Sequence, residues 1–150
     1  LSANDNERGE RYENIALTHH KMNQHDLALE HQIKAYFMHE RVGTLDQYAH
    51  SSIELGRYYS IAKNYASAER TLNKIIKLAK EQGGTYYEVQ GSYLLAQVKL
   101  ATGNAAEAKQ LAEYAKKLAL GTNDEALKSE VDQETKALFW VIAQSPQSTF

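Results

Sequence analysis

The chain has 150 residues, and its 17 basic and 19 acidic side chains give a formal net charge of −2, so it offers no basic surface for a phosphate backbone and we expect no direct nucleic-acid contact. Hydrophobic residues make up 43% and charged residues 24%, which fits one globular domain or a short run of repeats. The absence of cysteine excludes disulfides and thiolate metal sites, and no apolar run reaches the ~20 residues that cross a bilayer, so we expect no membrane insertion by this segment.

Helix formers dominate the chain, which has a single proline and no alternating β-branched runs of the kind that indicate strands. The sequence therefore predicts an all-α fold of about seven helices. In chain order the predicted helices cover about residues 6–23, 26–41, 45–62, 65–81, 85–102, 105–120 and 124–143.

A 40-residue repeat runs through these helices. It is clearest in columns, by which we mean sets of positions 40 residues apart. Two columns hold small residues, Ala16, Gly56 and Ala96 in the first and Ala28, Ala68 and Ala108 in the second, and a third holds Ile15, Leu55 and Leu95. Small residues let two successive helices approach closely, and the branched column fills the space beside them. Each repeat is therefore expected to be an antiparallel helix pair that buries its apolar face by stacking on its neighbours.

These columns, with polar turns such as Gly103-Asn104 between the paired helices, resemble the tetratricopeptide repeat. The third copy is closest to the family pattern, while the first is degenerate because His19 and His25 stand where the second has Tyr59 and Tyr65. The period of 40 residues and the lack of a proline after the second helix depart from the usual pattern. The resemblance covers about residues 9–122, with repeats at about 9–44, 45–84 and 85–122, and it implies a right-handed superhelix of stacked helix pairs. With the last helix at 124–143, the predicted repeat domain runs over residues 1–144.

The last predicted helix carries an apolar stripe at helical spacing, formed by Leu127, Val131, Leu138 and Ile142. Trp140 lies on the opposite side, where we expect either a further helix or a contact with a second copy. The residues at 145–150 are expected to be disordered. Because the chain begins at Leu1 and not at Met, we expect it to be a piece of a longer protein.

In the tetratricopeptide family the ligand-facing columns lie on the first helix of each repeat. That resemblance implies a concave partner-binding face of mixed polar and apolar character, suited to a protein or peptide ligand. In the first repeat the implied residues are Glu13, Asn14, Leu17, His20 and Lys21; in the second they are His50, Ile53, Glu54, Arg57 and Ser60; in the third they are Gln90, Tyr93, Leu94 and Gln97. Glu13 and Leu17 disfavour a two-carboxylate clamp, although Arg57 alone could hold one carboxylate.

No sequence motif points to catalysis: there is no nucleophile elbow and no phosphate-binding glycine loop. The six histidines do not have metal-ligand spacing, and His31 and His39 lie two helical turns apart, too far to chelate one ion. We expect no enzyme activity, no metal and no cofactor, and we interpret the histidines as packing residues. A pH-responsive cluster in the first repeat is the alternative.

The sequence thus favours a protein- or peptide-binding module, and the resemblance suggests the sensor or scaffold part of a larger bacterial signalling or regulatory protein. The alternative function is a homo-oligomerisation module. We expect a cytoplasmic location, with a periplasmic sensor domain as the other possibility.

Overall fold

The computed structural model describes residues 2–144, with side chains from residue 4 onward, and over this range it contains helices and turns but no strand. The helices are α1 (Ser2–Lys21), α2 (His25–Val42), α3 (Leu45–Ile61), α4 (Tyr65–Gln82), α5 (Thr85–Ala101), α6 (Ala105–Leu120) and α7 (Glu125–Gln144). The predicted all-α class and its seven helices are confirmed. Helix α1 begins four residues earlier than predicted, with Asp5 in a first turn where a negative charge is favourable. The predicted disordered tail at 145–150 lies outside the described residues.

The turns within the three repeats share one backbone geometry. Asn23, Lys63 and Gly103, which form one column, all have left-handed φ angles of 59°, 64° and 88°. In each turn the next amide donates a 2.8 Å hydrogen bond to the carbonyl oxygen five residues earlier; the pairs are Gln24 to His19, Asn64 to Tyr59 and Asn104 to Lys99. This bond is the one that closes a helix in the Schellman motif. The 40-residue period is therefore present in the backbone as well as in the side chains.

The helices form two compact units, an N-terminal unit that ends at Ile75 and a C-terminal unit that starts at Ile76, so the boundary falls within α4. In the N-terminal unit α1 packs on α2, and α2 packs on α3. In the C-terminal unit α5 packs on α6, and α7 packs on both. Within each unit the helices thus pack on their neighbours in sequence, which is consistent with an α–α solenoid.

The small-residue columns lie where helices meet. Ala16 and Ala28 are buried in one cluster with Tyr58. In the C-terminal unit the fully buried Ala96 and Ala108 share a cluster with Ala112 and Leu138. These findings confirm the predicted contacts in the first and third repeats.

In the second repeat the small residue of the first helix faces a leucine. A Cβ built on Gly56 would lie only 2.5 Å from Leu72 Cδ2, and Ala68, one turn before Leu72, is fully buried. The Leu72 side chain of α4 therefore packs directly on the α3 backbone at Gly56, and it would have to shift to make room for a larger residue there.

The branched apolar column behaves differently in the first repeat. Leu55 and Leu95 are 3% and 4% exposed, whereas Ile15 is 39% exposed. The prediction that Ile15 packs beside the helix contact is therefore wrong. Among the described residues no helix precedes α1, and Ile15 is the most exposed of the three residues in its column.

Helix α7 buries the stripe that the sequence predicts. Leu127, Val131 and Leu138 are buried, and Ile142 packs on the Ala96 cluster. On its other side, α7 has the exposed Lys136 in the column that holds Ala16, Gly56 and Ala96 in the earlier repeats. The small-residue column of the three repeats is therefore not continued in α7.

Candidate functional site

The predicted binding face of the N-terminal unit is built around the carboxylate of Glu13. Gln32 of α2 donates to Glu13 Oε1 at 2.5 Å and also to the backbone oxygen of Ser51 on α3 at 3.1 Å. His50 Nε2 lies 3.4 Å from Glu13 Oε2. One buried amide thus ties all three helices together beside a carboxylate that the sequence assigned to ligand binding.

Burial raises the pKa of the Glu13 carboxyl group above its usual value of 4.5, and the charge of Glu54 raises it further. The hydrogen bond from Gln32 and the charge of His50 act in the opposite direction without cancelling the effect of burial. Glu13 therefore holds a proton at a higher pH than an exposed glutamate would.

A second polar contact joins α1 to α3 one turn earlier. Gln47 donates to Glu10 Oε2 at 3.0 Å, and the Gln47 side chain also accepts from the Thr44 amide at 2.9 Å. Thr44 Oγ1 accepts from the Gln47 amide in return, which completes a capping box at the start of α3. The start of α3 is thereby fixed both to its own backbone and to α1.

Around these contacts the predicted residues of the first two repeats differ in exposure. Asn14, Leu17 and Lys21 on α1 and His50 on α3 are exposed, and Leu17 is an exposed apolar side chain. The remaining partly exposed members are Glu13, His20, Glu54, Arg57 and Ser60. Ile53 is only 1% exposed, so the expectation that it faces a partner is wrong, because its side chain is part of the core.

Two of the partly exposed residues are held by neighbours. The His20 ring stacks on Tyr58 with ring centroids 5.0 Å apart, and Arg57 Nε lies 3.4 Å from Glu54 Oε2. A single carboxylate from a ligand would therefore meet Arg57 in competition with Glu54. The predicted contact of Arg57 with a ligand carboxylate would therefore require Arg57 to leave Glu54 or to be shared with it.

In the C-terminal unit, helix α7 takes the place predicted for a ligand. Gln90 and Tyr93 donate to Glu130 Oε2 at 2.8 and 2.5 Å, and Gln97 donates to the Glu134 backbone oxygen at 2.8 Å. Gln90, Tyr93 and Leu94 are buried, and Gln97 is partly buried. These side chains are not presented to an external partner, because α7 packs on the face of α5 that carries them.

The same spacing joins α1 to α3 and α5 to α7. The bonded pairs Glu10–Gln47, Tyr93–Glu130 and Gln97–Glu134 are each separated by 37 residues. Tyr93–Glu130 lies two periods after Glu13–His50, so at this point α7 contacts α5 through the columns by which α3 contacts α1. The open part of the predicted face is accordingly restricted to exposed residues of α1 and α3.

The sequence interpretation missed several residues of this site, although the columns contain a signal for two of them. Gln32 occupies the column of Leu72 and Ala112, both fully buried, so a polar residue there indicates an interior hydrogen bond. Glu130 lies one period after Gln90, its hydrogen-bond partner. Gln47 shows no comparable signal, because its role depends on the capping geometry.

Four histidines of the first repeat, His19, His20, His25 and His31, pack against other rings. The His19 and His31 rings stack with centroids 5.3 Å apart, and Tyr12 lies 6.2 Å from His31. Within residues 2–144, no three histidine, aspartate or glutamate side chains are grouped so that they could hold a metal ion. Nor does any helix in this range combine the length and apolarity needed to cross a membrane.

Comparison with known proteins adds one finding. A family model described as the tetratricopeptide repeat matches residues 10–81, which run from α1 through α4. No curated protein matches the chain. The match spans the first two repeats identified from the 40-residue columns and supports a tetratricopeptide-like repeat over residues 10–81.

Proposed function

We propose that the chain is a protein- or peptide-binding module and that its ligand contacts α1 and α3 of the N-terminal unit. The observation that carries the proposal is the coincidence of the tetratricopeptide match with an exposed surface on fixed helices. Tetratricopeptide repeats are typically non-catalytic protein-interaction modules, which supports a binding rather than an enzymatic role. A place in a larger signalling or regulatory protein belongs to the same proposal, and only the resemblance supports it.

The exposed residues offer chemistry suited to a peptide. Leu17 supplies an apolar anchor at 41% exposure, and Asn14 and Lys21 supply polar groups on the same helix. The contacts of Gln32 and Gln47 hold α1 against α3, so that little order must be created when a ligand binds. A few such anchors on a rigid scaffold are sufficient for specific recognition.

To test the proposal, random peptides displayed on phage would be selected against the immobilised full chain, and the affinity of selected peptides would be measured by calorimetry. We expect Leu17→Glu to weaken binding by about tenfold or more, which corresponds to about 1.4 kcal/mol. Leu120→Glu is the matched control, because Leu120 is a 70% exposed leucine on α6, and it should leave the affinity unchanged. Peptides whose affinity follows Leu120 and ignores Leu17 would place the binding surface elsewhere.

Self-association is the second candidate, and α7 carries the observation that favours it. Trp140 is 65% exposed and the adjacent Val141 is 42% exposed, so the helix presents a large apolar side chain to solvent. Sedimentation velocity over a hundredfold concentration range tests this function. A concentration-dependent dimer that Trp140→Gln abolishes would support it, and a monomer at all concentrations would exclude it.

A further inference from the structure

Within the N-terminal unit, His39 of α2 combines complete burial with unsatisfied ring nitrogens. The residue is 1% exposed, and neither Nδ1 nor Nε2 has a hydrogen-bond partner among the described residues. A buried polar group without a partner is unfavourable and calls for an explanation. In the matching column of the later repeats stand Ala79 and Ala119, both buried.

The His39 ring lies directly against the backbone of α1 at Gly9. A Cβ built on Gly9 would overlap Nε2 and Cδ2 of the ring, and it would lie 3.2 Å from Met38 Cβ. The column of Gly9 continues with the larger residues Ala49 and Val89. In the later repeats these larger side chains accompany a smaller partner, because alanine replaces His39 there. The space for the imidazole is therefore made by the absence of a side chain on α1.

The charged groups around His39 come from both helices that pack on α2. Glu10 of α1 is the nearest, with Oε2 3.7 Å from Nε2, which is too long for a hydrogen bond. His50 of α3 acts on His39 electrostatically and itself lies beside Glu13 of α1. Near the start of α1, the buried Asp5 pairs with Arg8 at 2.6 Å and with Arg41 of α2 at 3.1 Å.

These groups do not make a favourable site for an imidazolium ion. Burial lowers the pKa of His39 below its usual value of 6.5; Glu10 opposes this effect and His50 reinforces it. Glu10 is also half exposed and already accepts a hydrogen bond from Gln47. A proton on His39 is therefore better accommodated when the ring leaves its place against Gly9.

We propose that the contact between Gly9 of α1 and His39 of α2 is a proton-sensitive contact, which releases the N-terminal half of α1 when His39 is protonated. The device rests on the geometry of the N-terminal unit and does not depend on the identity of any ligand. At neutral pH the neutral ring fills the space beside Gly9 and the contact is closed. Acidification favours the open state, in which water solvates the protonated ring.

The direction and the pH range follow from proton linkage. Because the pKa of His39 is lower in the closed state, the open state binds the proton first as the pH falls below about 6.5. The closed state loses stability from that point down to the lowered pKa, and it changes no further below it. One proton changes the opening equilibrium by at most about tenfold per pH unit.

Glu13 acts in the opposite direction one turn further along α1. Its pKa is raised in the closed state, so the closed state binds a proton first as the pH falls through that raised value toward 4.5, and this stabilises it. The effect of His39 is consequently clearest in a Glu13→Gln background, where the opposing carboxyl group is removed.

Hydrogen exchange of the full chain between pH 7.5 and 5.5 tests the proposal, with rates converted to protection factors to remove the intrinsic pH dependence. We expect protection over residues 5–13 to fall below pH 6.5, by up to about tenfold per pH unit, and to fall further in Glu13→Gln. All six histidines lie within the first 50 residues, so the amides of α6 and α7 provide an internal reference that should not change.

His39→Gln should abolish the pH dependence, whereas His31→Gln, the same change on the same helix, should retain it. The wild-type chain offers an independent measurement, because NMR titration of the His39 ring should give a pKa below 6.5. The proposal is overturned if His39 titrates at or above 6.5, if protection in α1 does not change with pH, or if the pH dependence survives in His39→Gln. Should His39→Gln not fold, the wild-type titration and exchange data decide the question.

Discussion

In the N-terminal unit α1, α2 and α3 meet around the polar side chains of Glu13, Gln32 and His39, whereas the matching positions of the C-terminal unit hold Tyr93, Ala112 and Ala119. Both units follow the same 40-residue pattern and the same turn geometry. The difference shows that the pattern requires small or buried side chains at its columns without fixing their chemistry. At the positions of Gln32 and His39, polar side chains add directional bonds and sensitivity to protons, while the alanines that match them mainly constrain volume.

The largest effect is expected from placing glutamine, the residue at position 32, at the equivalent apolar position 72 of the second repeat. In Leu72→Gln the side chain that packs on Gly56 gains an amide for which its own repeat provides no equivalent of Glu13, since Ile53 occupies that position. We expect a loss of about 3–5 kcal/mol in the free energy of unfolding, from lost apolar burial and an unsatisfied polar group. Urea denaturation measures it, and a loss below about 1 kcal/mol would show that the second repeat tolerates either chemistry.

A smaller effect is expected from substituting residues of the N-terminal unit with those at the equivalent positions of the C-terminal unit. Gly9→Val introduces the valine that the C-terminal unit has at position 89. Its side chain would overlap the His39 ring, which should destabilise the N-terminal unit by about 1–3 kcal/mol. Adding His39→Ala, the residue of the Ala119 position, should restore most of that stability. Thermal unfolding of the two single variants and the double variant forms a mutant cycle. Additive effects of the two changes would mean that Gly9 and His39 are not coupled.

The third prediction concerns the hydrogen bond that holds Glu13. Gln32→Leu installs the leucine found at position 72, but it removes a bond that lowers the pKa of Glu13, so that pKa should rise further. We expect a loss of about 1–2 kcal/mol at pH 7.5. The loss should be smaller at pH 5, because the folded state gains stability as the pH falls through the raised pKa toward 4.5.

Denaturation at the two pH values, with NMR titration of the Glu13 carboxyl group, checks this prediction. Glu13→Gln combined with Gln32→Leu is the control, since its stability should no longer carry the Glu13 contribution. An equal loss at both pH values in Gln32→Leu alone would contradict the proposed link between the amide and the carboxylate.

The same columns explain how much could be predicted from the sequence. The helices, the small-residue contacts and the apolar stripe of α7 follow from periodicity, because each depends on one residue type recurring at one spacing. The exposure of Ile15 and the burial of Tyr93 did not follow. Residues of one column occupy equivalent backbone positions, but the exposure of each side chain depends on which helices pack beside it. The neighbouring helices of α1 differ from those of α5.

The contact partners of the buried polar residues were harder to predict for a related reason. Gln32 and His39 could have been recognised as polar residues in buried columns, which indicates interior polar contacts without naming their partners. The partners Ser51 and Gly9 lie on other helices, and one contributes only a backbone oxygen while the other contributes only the absence of a side chain. Neither property is visible as a residue type in a column.

The smallest expected effect concerns the turn, the feature in which the two units agree most closely. Lys63 has a φ of 64°, in a column where Asn23 and Gly103 adopt the same left-handed conformation more readily. Lys63→Gly should therefore stabilise the protein by about 0.5–1 kcal/mol, less than the full strain, because glycine also increases the entropy of the unfolded chain. Lys77→Gly, in the interior of α4, is the control and should destabilise by about 1 kcal/mol. Urea denaturation distinguishes the two outcomes, and destabilisation by Lys63→Gly would mean that interactions of the lysine side chain outweigh the backbone preference that the three turns share.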